Sequence, residues 1–184
     1  MKGIKRACMC SMALYISVAL SCAGNTGFVN YREGLFQGFR SLQYGDYQSA
    51  LNQFLSASQG DPTRAWPLAL AGQAAYQMGT YDQARQYLAQ AEGLAKGQNY
   101  AYLVIKAYQT LIAFKQERQQ DGMAALAEYV RVYGSRFSYP DETYYDVERM
   151  YQSRNIRLPT LERLIGNQIS RYESDAMQWG WMLE

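Results

Sequence analysis

Two stretches decide the fold: GFRSLQYGDYQSALNQFLSA, residues 38–57, and GQAAYQMGTYDQARQYLAQA, residues 72–91. Aligned without a gap at an offset of 34, they place Gly38 on Gly72, Gly45 on Gly79, Tyr47 on Tyr81, Ala50 on Ala84 and Ala57 on Ala91, with Phe54 answered by Leu88. A fixed period of this length marks a repeated supersecondary unit that buries its apolar face only by stacking on its neighbours. The small residues have a packing cause. Gly38 and Gly72 let a first helix approach a second closely, and Ala50 and Ala84 do the same from the other side. Gly45 and Gly79 suit the left-handed turn that ends the first helix. Tyr47, Tyr81, Phe54 and Leu88 fill the wedge between helices, and Ala57 and Ala91 leave room for the next unit.

The same reading extends outward. The four prolines (Pro62, Pro67, Pro140, Pro159) lie near helix starts or loops, and no alternating β-branched run suggests a strand, so the class is all-α. Asp61-Pro62 closes the first unit. Residues 99–118 read as a longer helix with Tyr102, Ile105, Tyr108 and Ile112 on one face. Gln119–Gly122 then read as a turn into Met123–Tyr133, where Ala125, Tyr129 and Val132 carry the second-helix signature after about two added turns. Residues 141–153 and 159–177 form a last pair, with Asp141-Glu142 as N-terminal helix charges. Leu161, Leu164, Ile165, Ile169 and Tyr172 make an apolar stripe on the last helix; Glu162, Arg163, Asn167 and Arg171 face away, as a solenoid's terminal cap requires.

The 34-residue pattern closely resembles the tetratricopeptide repeat family over residues 31–64 and 65–98, although Gly34 and the early position of Trp66 depart from the usual aromatic in the first helix. The resemblance implies a right-handed α–α superhelix of three to four helix pairs spanning 31–184, with a degenerate unit at 99–139 and a C-terminal pair or cap at 140–184. It also implies a concave groove lined by first helices. The positions that would face it are Arg32, Leu35, Phe39, Leu42 and Gln43 from the first unit, with Trp66, Ala69, Gln73, Tyr76 and Gln77 from the second. Trp66 and Tyr76 stand out as candidate contacts. Such an apolar, aromatic, amide-rich lining favours an extended peptide or amphipathic helix. The family's carboxylate clamp is not matched, because Leu35 and Phe39 occupy two of its positions.

The N-terminus reads as a secretory signal over residues 1–21: basic Met1–Arg6, apolar Ala7–Leu20, then Ser21 before Cys22. The 14 apolar residues span only ~21 Å, short of the ~30 Å hydrocarbon core. Ala19-Leu20-Ser21-Cys22 resembles the lipobox of bacterial lipoproteins, with Ala19 where leucine is commonest. That resemblance implies that Cys22 becomes the first mature residue and carries a covalent lipid, with residues 22–30 as a short tether. Cysteine usage agrees: Cys8 and Cys10 fall inside the signal, so cleavage leaves Cys22 as the only thiol and excludes an intrachain disulfide.

No histidine is present, which removes imidazole-based catalytic sites and HExxH zinc sites, and a single mature cysteine removes cysteine metal sites. No metal or cofactor beyond the lipid on Cys22 is expected, and no enzymatic activity. Lys+Arg 18 against Asp+Glu 16, with Lys2, Lys5 and Arg6 inside the signal, leaves no basic patch for nucleic acid. The expected role is a lipid-anchored envelope scaffold that takes a protein or peptide partner in its groove. The outer membrane facing the periplasm is favoured because Ala23, not aspartate, follows the cysteine. The alternative is a binder of small apolar ligands, accessory to a transporter, with a pocket near Tyr102 and Tyr108. The tail bearing Trp179, Trp181, Met182 and Leu183 could cover the open end of the last unit, contact a second copy or touch the bilayer.

Overall fold

The structure of the protein, a computed structural model, describes residues 27–95, 100–136 and 142–179. Among them are eight helices and no strand: α1 (27–43), α2 (Tyr47–Gly60), α3 (Ala65–Gln77), α4 (Tyr81–Leu94), α5 (Tyr100–Lys115), α6 (Gln119–Arg136), α7 (Glu142–Ser153) and α8 (Leu158–Trp179). The signal segment, Cys22, Trp181, Met182, Leu183 and the side chain of Trp179 lie outside the described residues. No described helix is long and apolar enough to cross a membrane.

Four equivalent turns organise the chain into helix pairs. Gly45, Gly79, Glu117 and Arg154 each adopt a left-handed backbone, with φ of 74, 75, 56 and 53°. Each N–H donates to the carbonyl three residues back: Gly45 to Leu42 at 3.1 Å, Gly79 to Tyr76 at 2.9 Å, Glu117 to Phe114 at 3.1 Å and Arg154 to Tyr151 at 3.2 Å. The next residue reaches back five in the first three turns, with Asp46 donating to Ser41, Thr80 to Ala75 and Arg118 to Ala113. This geometry ends a helix by satisfying its last carbonyls. Asp46 then caps α2 by accepting from the Ser49 N–H at 3.1 Å.

Within each pair the small residues set the separation. A Cβ on Gly38 would lie 2.4 Å from the Phe54 ring, and one on Gly72 would lie 2.6 Å from Leu88 Cγ. Gly34, where the expected aromatic is missing, is needed for the same reason: its Cβ would meet the Gln53 carbonyl oxygen at 2.8 Å and the Ala57 Cβ at 2.9 Å. Between pairs an aromatic spine crosses successive first helices. Phe39 of α1 lies 6.2 Å from Trp66 of α3, which lies 4.6 Å from Tyr100 of α5, centroid to centroid. Ala50, Phe54, Ala57, Ala69, Leu70, Ala84, Leu88 and Ala91 are fully buried and complete the core of the first two units.

The third unit differs from its sequence reading. Gln119–Gly122 form the first turn of α6, and the chain reverses one step earlier, at Gln116–Arg118. The residue equivalent to Ala84 is Gly122, not Ala125. Gly122, Leu126 and Tyr129 repeat the spacing of Ala84, Leu88 and Ala91 and are buried, whereas Ala125 is half-exposed. A Cβ on Gly122 would lie 2.7 Å from the Phe114 ring, so only glycine lets α6 seat against α5 here. Gly122 stands 38 positions after Ala84, so the insertion relative to the 34-residue period is about one helical turn, not two.

Candidate functional site

The long last helix determines what the concave face can bind. Of its predicted stripe Leu161, Leu164, Ile165 and Ile169 are buried, the side chain of Tyr172 lies outside the described residues, and Arg163, Asn167 and Arg171 are exposed. It does more than cap the last unit, because it folds back over the first helices of earlier units. The Tyr100 hydroxyl of α5 donates to the Ile169 carbonyl at 3.2 Å. The Tyr129 hydroxyl of α6 donates to Gln168 at 2.5 Å, and the Gln168 amide donates on to Thr143 of α7 at 3.0 Å, so this buried glutamine ties α8 to two other helices.

Glu162 corrects the expectation that it faces away. It accepts from the Tyr76 hydroxyl of α3 at 2.5 Å and pairs with Lys115 of α5 at 3.0 Å. Burial first, then the adjacent Glu162 carboxylate, drives the Tyr76 phenol well above its ordinary value, so it stays a neutral donor. Farther along α8, Glu173 accepts a hydrogen bond from the Gln73 side-chain amide.

The ten predicted groove positions therefore divide. Leu35, Phe39, Trp66, Ala69, Gln73 and Tyr76 are buried, inside the aromatic spine or against α8; Leu42 is half-buried; Arg32, Gln43 and Gln77 are exposed. Of these, Phe39, Leu42, Gln43, Gln73 and Gln77 come together with Tyr47, Tyr108 and the α8 residues Gly166, Ser170, Glu173 and Ser174 around a cleft of about 330 Å³. This cleft is what remains of the concave groove once α8 is in place. Arg32 does not line the cleft; it is exposed on α1, with its guanidinium over the Phe28 ring at 5.7 Å. Tyr102 does not share a pocket with Tyr108: it donates to Glu128 of α6 at 3.1 Å, while Tyr108 lines the cleft.

The chemistry of the cleft is that of an acceptor. Gln73 is only 4% exposed, and its Oε1 has no hydrogen-bond partner. Burial raises the Glu173 carboxyl to about 6, with the Gln73 hydrogen bond opposing the shift, and it makes no ion pair among the described residues. Burial likewise pushes the Tyr108 phenol well above its usual range, reinforced by the charge of Glu173. Among the described residues Glu173 is the only charged side chain in the lining, so a carboxylate and an unsatisfied amide oxygen lie together with no described cation to answer them. Sequence reading missed Glu173 and Gln168. Their only signal was polarity on the edge of an apolar stripe, which does not say what lies opposite. Among the described residues no group of three or more His, Cys, Asp or Glu side chains is gathered that could hold a metal ion.

Comparison with known proteins agrees with this architecture. No curated protein shows significant sequence similarity to the chain. Among solved structures, the TPR domain of Arabidopsis OM64 is similar at 12% identity, with a TM-score of 0.56 over 72% of this chain and 98% of that one. Proteins of this fold are in general interaction scaffolds rather than catalysts. Residues 41–105, which run from the end of α1 into α5, match the family profile of the tetratricopeptide repeat, and the whole described chain has the architecture of a TPR-like α–α solenoid.

Proposed function

We propose that the protein is an adaptor of the bacterial cell envelope, anchored by a lipid on Cys22, that docks a segment of a protein partner in the cleft between α1 and α8. The observation that carries this reading is the unpartnered Gln73 Oε1 beside the Glu173 carboxylate, which accepts from the Gln73 amide but has no paired cation among the described residues, at the wall of the remaining groove. Buried polar groups without partners are costly, and a ligand that satisfies them gains the corresponding free energy. The matching group is a lysine or arginine side chain, whose stem can lie along Phe39 and Leu42 while its head reaches Glu173. Three glutamines, two serines and a glutamate in the wall do not favour a small apolar ligand. The anchor reading rests on the lipobox-like Ala19–Cys22, and the preference for the outer membrane on Ala23.

A photo-crosslinker at Gln43 or Gln77 in living cells captures one dominant partner under this reading, and Glu173→Gln weakens the capture. These two exposed positions replace Trp66 and Tyr76, which are buried. Equal capture from Gln86, on the exposed side of α4, sinks the docking assignment.

A further inference from the structure

The described chain leaves five large hydrophobic side chains exposed, and four belong to α1 or its end: Phe28 at 53%, Val29 at 56%, Phe36 at 53% and Tyr44 at 81%. At 100° per residue, Phe28, Arg32 and Phe36 fall within a sector of about 80°, with Val29 and Arg40 continuing it on the Phe36 side. The two arginines sit over this aromatic stripe, Arg32 at 5.7 Å from the Phe28 ring and Arg40 at 5.9 Å from the Phe36 ring. Neither makes an ion pair among the described residues. Glu33, at the edge of the sector, instead accepts from Gln37 at 2.7 Å. Aromatic rings with arginines between them, along a helix of 17 residues, suit a layer with apolar depth below and phosphate at its surface.

The chain's course supplies a second argument. Cys22 precedes Phe28 by six residues, at most ~20 Å of extended chain. A lipid on Cys22 brings this face, rather than any later helix, to the headgroups first. We infer that the exposed strip of α1, formed by Phe28, Val29, Arg32, Phe36 and Arg40, lies on the bilayer interface and contacts anionic phospholipid. The helix rests parallel to the membrane plane with its aromatic rings below the phosphates and its arginines among them. The inference rests on the lipid-anchor reading for its geometry, but not on the docking reading.

The test replaces Phe28, Phe36 or, as a control on α7, the exposed Tyr145 with a photo-crosslinking benzoylphenylalanine in cells expressing the full chain; labelled palmitate reports the anchor in parallel. The expected result is phospholipid adducts at positions 28 and 36 at least fivefold above position 145, reduced when Arg32 and Arg40 are both replaced by glutamate. Labelled Cys22 with no excess of lipid adducts at 28 and 36 overturns the inference while leaving the anchor intact. A cross-link to a second copy of the chain at Phe36 overturns it in favour of self-association. Lipid adducts without palmitate on Cys22 support the α1 face and remove the anchor reading instead.

Discussion

Glu173→Gln should stabilise the protein at neutral pH and leave it unchanged in acid. In the folded chain burial raises this carboxyl from 4.5 to about 6. The folded state therefore binds a proton that the unfolded chain does not hold across that interval. Stability falls as pH rises from about 4.5 through 6, and above 6 the full cost of an ionised, half-buried carboxylate remains. With ~1.4 kcal/mol for each tenfold change in proton affinity, the cost has a ceiling of about 2 kcal/mol, and partial solvent access lowers it to about 1–2 kcal/mol. Glutamine removes the charge and keeps the contact. It can accept from the Gln73 amide as Glu173 does, and it can also donate to the unpartnered Gln73 Oε1. Thermal unfolding followed by circular dichroism at pH 7.5 should show a rise of about 3–6 °C for a domain of this size. At pH 4 the variant and the parent should coincide. An unchanged or lowered melting temperature at pH 7.5, or an equal gain at both pH values, would refute the reasoning. The same substitution should weaken partner capture, so the site trades stability for binding.

Other predictions concern the backbone. Gly34→Ala should destabilise by about 1–3 kcal/mol in urea titration, because its methyl would meet backbone of α2, whereas Gly93→Ala, with open space around it, should stabilise by up to about 1 kcal/mol. Should the two behave alike, the close approach of α1 and α2 is wrong. Glu117→Gly should raise stability by about 1 kcal/mol, since Glu117 holds a left-handed backbone at φ 56° where the first two turns use glycine. A loss of stability there would mean that the Glu117 side chain supplies an interaction that outweighs the backbone strain.

The pattern of small residues made the first two units legible. Gly38, Gly72, Phe54 and Leu88 occupy the helix crossings, and Gly45 and Gly79 occupy the turns, because close contact and left-handed backbone each leave few residue types to choose from. The third unit was harder for the same reason in reverse. Glu117 holds the turn without glycine, and Gly122 and Ala125 were both small enough to mark the crossing, so the register slipped by three residues. The course of α8 was not legible. Its amphipathic stripe says that one face is buried, not that the helix returns to the concave side, and contacts such as Gln73 with Glu173, 100 positions apart, leave no local pattern. That return takes six of the ten predicted groove side chains out of solvent or into the spine and leaves one polar cleft.

The position of α8 is the central claim, and a double-mutant cycle between Tyr76→Phe and Glu162→Ala tests it most directly. The Tyr76 hydroxyl and the Glu162 carboxylate are 2.5 Å apart across α3 and α8. A hydrogen bond to a charged group predicts a coupling of about 1–2 kcal/mol in the unfolding free energy. Additivity to within about 0.3 kcal/mol would contradict the account, because it would mean that α8 does not lie over the concave face.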